Sequence, residues 1–168
     1  MRKKNGFTLI ELLIVLAVIA ALIATMTPLA LNAIRRSQAS KVAQNIKILA
    51  NMLEVAAYVN GLTEEGAIAG ANGGTITREE IARDISDNYA IVHDSEDDKV
   101  TAMIVTTDRA DFGQVQRLLP AVKQGGWGDV QSRIGPHHDP DFRFIDPQSF
   151  KENYEGQVII YEFSFKVY

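Results

Sequence analysis

From Phe7 to Leu31 the chain runs for 25 residues with one charged side chain, Glu11. As a helix this run would span about 37 Å, at about 1.5 Å per residue. That is enough to cross a hydrocarbon core of about 30 Å. A carboxylate at the centre of a span costs roughly 2.5–3.5 kcal/mol. A plain anchor gains nothing from bearing that cost, so Glu11 is singled out as a functional residue.

The 168 residues provide for one anchor and one modest domain, and the 46% hydrophobic content fits that division. No cysteine is present, so no disulfide holds the fold. The net charge of −4 is unevenly distributed: residues 1–6 carry +3, residues 29–60 carry +3, and residues 61–168 carry −9. An acidic distal part argues against a general nucleic-acid-binding surface.

Arg2, Lys3 and Lys4 precede the apolar run and favour a cytoplasmic N-terminus. Arg35 and Arg36 oppose this on count, but the first charges usually dominate. A secretory signal peptide should end in an A-x-A-like site. None lies between Ala17 and Ala33, and the run is too long. An ordinary signal anchor accounts for the length and the basic flank but not for Gly6 or Glu11.

The stretch Lys4-Asn5-Gly6-Phe7-Thr8-Leu9-Ile10-Glu11-Leu12-Leu13-Ile14-Val15 resembles the class III signal of type IV prepilins and pseudopilins. The resemblance covers roughly residues 1–35. It is specific, because a basic leader, a glycine, a phenylalanine and a glutamate must fall at fixed spacing before an apolar helix. It implies cleavage between Gly6 and Phe7 by a prepilin peptidase, N-methylation of the new Phe7 amine, and retention of the apolar helix. It also implies a filament subunit, with identical or minor pilins as partners. An inner-membrane assembly platform with a separate ATPase would complete the machinery. The precursor would sit in the inner membrane, and the product in an extracellular pilus or a periplasmic pseudopilus.

The chemistry fits these roles. Gly6 has no side chain to obstruct a narrow protease cleft. Cleavage would create an amine on Phe7, four residues before Glu11 and on the same helix face. Glu11 can then meet a positive N-terminus, its own or a neighbour's; buried charges need such partners. In the family this glutamate is thought to pair with an adjacent subunit in the filament. Pro28 should end or kink the helix near the outer end of the apolar run, with Thr25 and Thr27 able to satisfy freed carbonyls.

Beyond Pro28 the helical pattern continues. Val42, Ile46, Leu49, Leu53 and Ala56 form one apolar stripe, with Val59 also assigned to the core and Gly61 as the cap. The spine helix is therefore expected over residues 7–60, of which 7–31 form the membrane span or filament core. Residues 61–168 form an α+β head: overall, a type IV pilin-like fold with a long bent helix on a small antiparallel sheet.

Within the head, Gly61–Thr75 reads as a surface loop. Thr77 and Glu80 form a capping box, and Ile76 and Ile81 a staple, for a helix from Arg78 to about Ser86. Tyr89–His93 and Val100–Thr107 form a hairpin joined by an acidic loop, Asp94 to Lys99. Asp94, Glu96, Asp97 and Asp98 suggest calcium, but the EF-hand spacing is missing and a solvated turn fits better. Asp111 and Gln114 cap a helix through Leu119, and Pro120 breaks it. Gly125–Gly128 and Gly135–Pro140 are turns.

His137, His138, Asp139 and Asp141 resemble metal ligands only superficially, since adjacent residues rarely face one ion. No catalytic triad, P-loop or dinucleotide signature is present, and neither an enzyme activity nor a cofactor is expected. Phe142–Ile145 is a possible strand. Val158–Val167 is the clearest strand, with Ile159, Tyr161, Phe163, Phe165 and Val167 facing the helix in a sheet of about four strands. The alternatives to a pilus subunit are a pseudopilin of a type II secretion system and a single-span anchored binding domain.

Overall fold

The computed structural model describes residues 7–64, 66–81, 83–86, 88–96, 98–126, 128–130 and 156–168. By its contacts the chain divides into two compact units, Met1–Ser37 and Gln38–Tyr168. One helix, α1 (Leu9–Asn60), contributes to both.

In the first unit the described residues, from Phe7 onward, are all exposed. They include the span long and apolar enough to cross a membrane. Pro28 lies within α1, which continues beyond it. The threonines before the proline turn back on the helix. The Thr25 hydroxyl donates to the Leu22 carbonyl at 2.9 Å and the Thr27 hydroxyl to the Ile23 carbonyl at 2.8 Å. Neither takes the Ala24 carbonyl, the one a proline at position 28 leaves without its helical donor.

The second unit is built on a four-stranded antiparallel sheet ordered β1-β2-β4-β3. Its strands are β1 (Tyr89–Glu96), β2 (Lys99–Thr106), β3 (Val122–Gly126) and β4 (Gln157–Lys166). Its described residues also form two short helices, α2 (Arg78–Ile81) and α3 (Phe112–Leu118). The helix-on-sheet α+β expectation is met.

The core has two parts. The larger joins Ala39, Val42, Ile46, Leu49, Leu53 and Ala57 of α1 to Ile91, Val100, Ala102, Ile104, Ile159 and Val167 around the sheet. Tyr161, Phe163 and Phe165 pack against it as expected for that face. Their rings stack along β4, with centroids 5.6 and 6.0 Å apart, and Tyr58 of α1 meets Phe165 at 5.9 Å. The smaller core lies on the opposite sheet face, where Ala90, Val92, Met103, Val105, Val158 and Ile160 gather with Val130. Alternation along the strands sends these two sets to opposite sides.

Several local expectations are corrected. Val59 is 75% exposed, whereas Ala56 is partly buried and packs against the core. Ala39, Ala43, Ala50 and Ala57 instead complete the buried face. α1 also carries apolar side chains on its outward face. Ile48, Met52, Val55 and Val59 follow one another at helical spacing, all exposed.

α2 stops at Ile81, short of Ser86. Its capping carboxylate and its buried Ile81 occupy the first turn, while Arg83 and Asp84 beyond it are exposed in a turn. Ile85 still packs against the core, from outside the helix. The acidic loop is mostly strand. β1 continues through Glu96, which pairs with Lys99, leaving two residues for the turn. Asp98 takes φ 62°, a left-handed conformation that aspartate tolerates.

Gly125 and Gly126 belong to β3, not to a turn. A Cβ on Gly125 would come within 3.0 Å of an Asp129 carboxylate oxygen and 3.2 Å of Ile160 Cδ1, so glycine permits the close approach. β3 supplies the fourth strand. Phe142–Ile145 lies outside the described residues.

Candidate functional site

The helix begins with a capping arrangement around Glu11. Thr8 is the residue before the first helical position, and its carbonyl accepts from the Leu12 N–H at 3.2 Å. Glu11 Oε2 accepts from the Thr8 backbone N–H at 2.8 Å and from the Thr8 hydroxyl at 2.7 Å. The Glu11 N–H points back to Thr8 Oγ1 at 3.4 Å. This is the reciprocal geometry of a capping box, which satisfies backbone donors that an α-helix leaves without partners at its start.

Among the described residues, Thr8 is the partner that these bonds give Glu11. The sequence reading missed Thr8. The signal was present in Thr8-Leu9-Ile10-Glu11, the same Thr-x-x-Glu spacing that marks Thr77 and Glu80.

Phe7 directly precedes this box and is 88% exposed. Its backbone nitrogen is one residue before the N–H that Glu11 already holds. The carboxylate therefore lies at the helix start, where the helix dipole also favours negative charge. Gly6, the other half of the expected cleavage site, lies outside the described residues. Pro28 lies inside α1, with the threonine bonds described above immediately before it.

Asp94 and Glu96 line one hollow of the surface, but Lys99 and Lys166 line it with them. Glu96 is opposite Lys99 and Asp94 opposite Thr101, while Asp98 occupies the turn; Asp97 is outside the described residues. Among the described residues no three His, Asp or Glu side chains group as a metal site would require. His137, His138, Asp139 and Asp141 lie outside them.

At Thr77 and Glu80 the carboxylate half of the box forms, while the Glu80 N–H goes to the Thr77 carbonyl at 3.1 Å. Glu80 Oε2 accepts from the Thr77 N–H at 2.7 Å and the Thr77 hydroxyl at 3.2 Å, and Glu80 Oε1 accepts from the Ala71 N–H at 2.9 Å. The two backbone N–H groups, Thr77 first and then Ala71, lower the pKa of this carboxyl below its ordinary value. Glu80 thus ties the glycine-rich loop to α2, a role not visible from the sequence.

Comparison with known proteins bears on the N-terminal site. Residues 1–27 match the prokaryotic N-terminal methylation motif. This is the class III signal typical of type IV pilins and pseudopilins. With α1 packed on a four-stranded antiparallel sheet, the architecture is pilin-like α+β. Such proteins are generally non-enzymatic structural subunits, and the apolar N-terminal helix is consistent with a membrane-anchored prepilin. No curated protein and no solved structure matches the chain.

Proposed function

We propose that this chain is a structural subunit of a type IV pilus-like filament. One observation supports the reading above others: the methylation motif of residues 1–27 leads into an apolar span with no burial of its own, and that span belongs to the helix on which the head is built. A prepilin peptidase cuts between Gly6 and Phe7, and the new Phe7 amine is methylated. An inner-membrane platform driven by a separate ATPase then moves the subunit from the membrane into a filament of identical and minor pilins. Burial of the apolar helices supplies cohesion, at about 25 cal/mol per Å² of apolar surface.

Glu11 sets the register of the filament by pairing with the Phe7 amine of a neighbouring subunit. Its capping bonds with Thr8 separate two roles that one substitution would confuse. Glu11→Ala removes both the charge and the cap. Glu11→Gln keeps an amide oxygen for the Thr8 donors and removes only the charge. Both variants are expected to be cleaved normally and to fail in incorporation when no wild-type subunit is present. Normal filament yield from Glu11→Gln would reduce Glu11 to a helix cap.

The decisive measurement is intact mass with N-terminal fragmentation of the protein from sheared surface filaments and from membranes. Abundant protein in the filaments, starting at methylated Phe7, is the expected result. The same species confined to membranes would instead favour a pseudopilin. A chain retaining residues 1–6 in both fractions would overturn the proposal. A bulky side chain at Gly6 is expected to leave the leader attached.

A further inference from the structure

The loop of residues 61–75 is held at its start by bonds that do not titrate, and further on by the Glu80 carboxylate, which accepts the Ala71 N–H. At its start, the Asn60 side-chain amide donates to the Ala69 carbonyl at 2.9 Å and the Ala69 N–H to the Gly61 carbonyl at 3.0 Å. The Thr63 N–H closes a tight turn on the Ala67 carbonyl at 2.7 Å. Ile68, fully buried, bridges back to Leu62. Two side chains of β1 reach this turn. The Ser95 hydroxyl donates to the Gly66 carbonyl, and His93 Nε2 accepts the Ile68 N–H at 3.2 Å.

The second of these bonds exists in one protonation state only. An imidazole that accepts at Nε2 must be neutral, with its proton on Nδ1. Once protonated, both ring nitrogens are donors, and the Ile68 N–H then faces another N–H. We infer that His93 is an acid-sensitive latch that holds the loop of residues 61–75 against β1 and releases its Ile68 segment on protonation.

The surroundings determine the sign. Burial lowers the ring's pKa below 6.5, and Asp94 on the same strand works in the opposite direction. Across the strand pair is Ala102, which is neutral. The described part of the loop brings one carboxylate, the exposed Glu64. From the head half of α1 the one carboxylate is Glu54, engaged by the Tyr58 hydroxyl at 3.4 Å; its cations, Lys41 and Lys47, are exposed. The fold therefore favours the neutral ring. Its contribution is complete above pH 6.5 and is lost as the pH falls through the ring's lowered value. Ser95 and the Leu62–Ile68 bridge do not titrate, so the opening is local.

Hydrogen exchange on the full chain in detergent micelles tests this. After correction for intrinsic rates, exchange at Ile68 should rise about tenfold between about pH 7.5 and about pH 5, while amides of Val42–Leu53 stay protected. His93→Gln keeps an acceptor without a proton to gain, so its loop should show no such rise. Unchanged protection in the wild type, or an equal rise in His93→Gln, would overturn the latch. Should that variant not fold, the His93 ring and the Ile68 amide can be followed by NMR in the wild type. A shared titration midpoint is expected, and separate midpoints would overturn the inference.

Discussion

Single residues in this chain do more than fill positions. Gly66 sits at φ 80°, and a Cβ there would come within 2.6 Å of the Ser95 hydroxyl oxygen. Both the conformation and the contact oppose any side chain. Gly66→Ala should destabilise the head by about 1–2 kcal/mol, read as a lowered denaturation midpoint with an unchanged slope. Gly73 has a similar φ of 82° but open space around it, so the same substitution there carries only the conformational part.

Tyr89 joins the helix to the sheet through Asn45, whose side-chain amide donates to the phenol oxygen at 3.4 Å. Burial, reinforced by Asp108, raises this phenol above its ordinary value of 10.0. The folded state therefore holds the proton more tightly than the unfolded chain. That contribution is complete below pH 10 and is lost as the pH rises beyond it. Tyr89→Phe should cost about 1 kcal/mol near neutrality through the lost hydrogen bond. The gap between variant and wild type should narrow when denaturation is repeated above pH 10. A constant gap would mean that Tyr89 does not titrate differently in the two states.

At the scale of elements, α1 presents apolar side chains both to the sheet and away from it. Leu53 is fully buried whereas Val55 is 53% exposed. Leu53→Ala should cost about 2–5 kcal/mol. Val55→Ala should change the stability of the isolated protein by under about 0.5 kcal/mol. Denaturant titration of both variants checks the contrast; equal losses would mean that Val55 is covered in the monomer.

Legibility followed the same division. The spine was readable because its apolar run is too long for anything but a helix of its kind, and Gly61 marks its end. The cap at Thr77 was readable because the Glu80 side chain three residues on completes it, and the cap at Asp111 because an aspartate there can accept the backbone N–H three residues on. Asp111 indeed accepts from the Gln114 N–H at 2.9 Å. The acidic end of β1 was hidden because Asp94 and Glu96 look like a loop by composition; it is their pairing with Thr101 and Lys99 that makes them strand. β3 was hidden for a related reason. Val-Lys-Gln-Gly-Gly has little strand character alone and takes its shape from β4. At the N-terminal site, the resemblance to a prepilin signal pointed to Gly6 and Phe7, and the cost of a carboxylate inside an apolar run pointed to Glu11. The partner of His93 was not legible, because 25 residues of chain separate it from Ile68.

For the whole molecule, charge gives a simple assay of processing. Removal of residues 1–6 takes three cations and no anions, so the formal charge passes from −4 to −7. Isoelectric focusing should therefore resolve precursor from mature chain, with the mature form more acidic. A single band unmoved by co-expression of a prepilin peptidase would count against cleavage.

The order of the strands also sets a timetable. β4 is made after the other three yet lies between β2 and β3, pairing with both. Until residues 157–166 have left the ribosome, the β1–β2 hairpin and β3 each have an edge with no partner. Open edges of this kind are where strands of other molecules attach. The nascent chain thus passes through a stage in which its sheet is nearly complete in sequence and unfinished in space. A factor that shields the edges during that interval would act on every copy made.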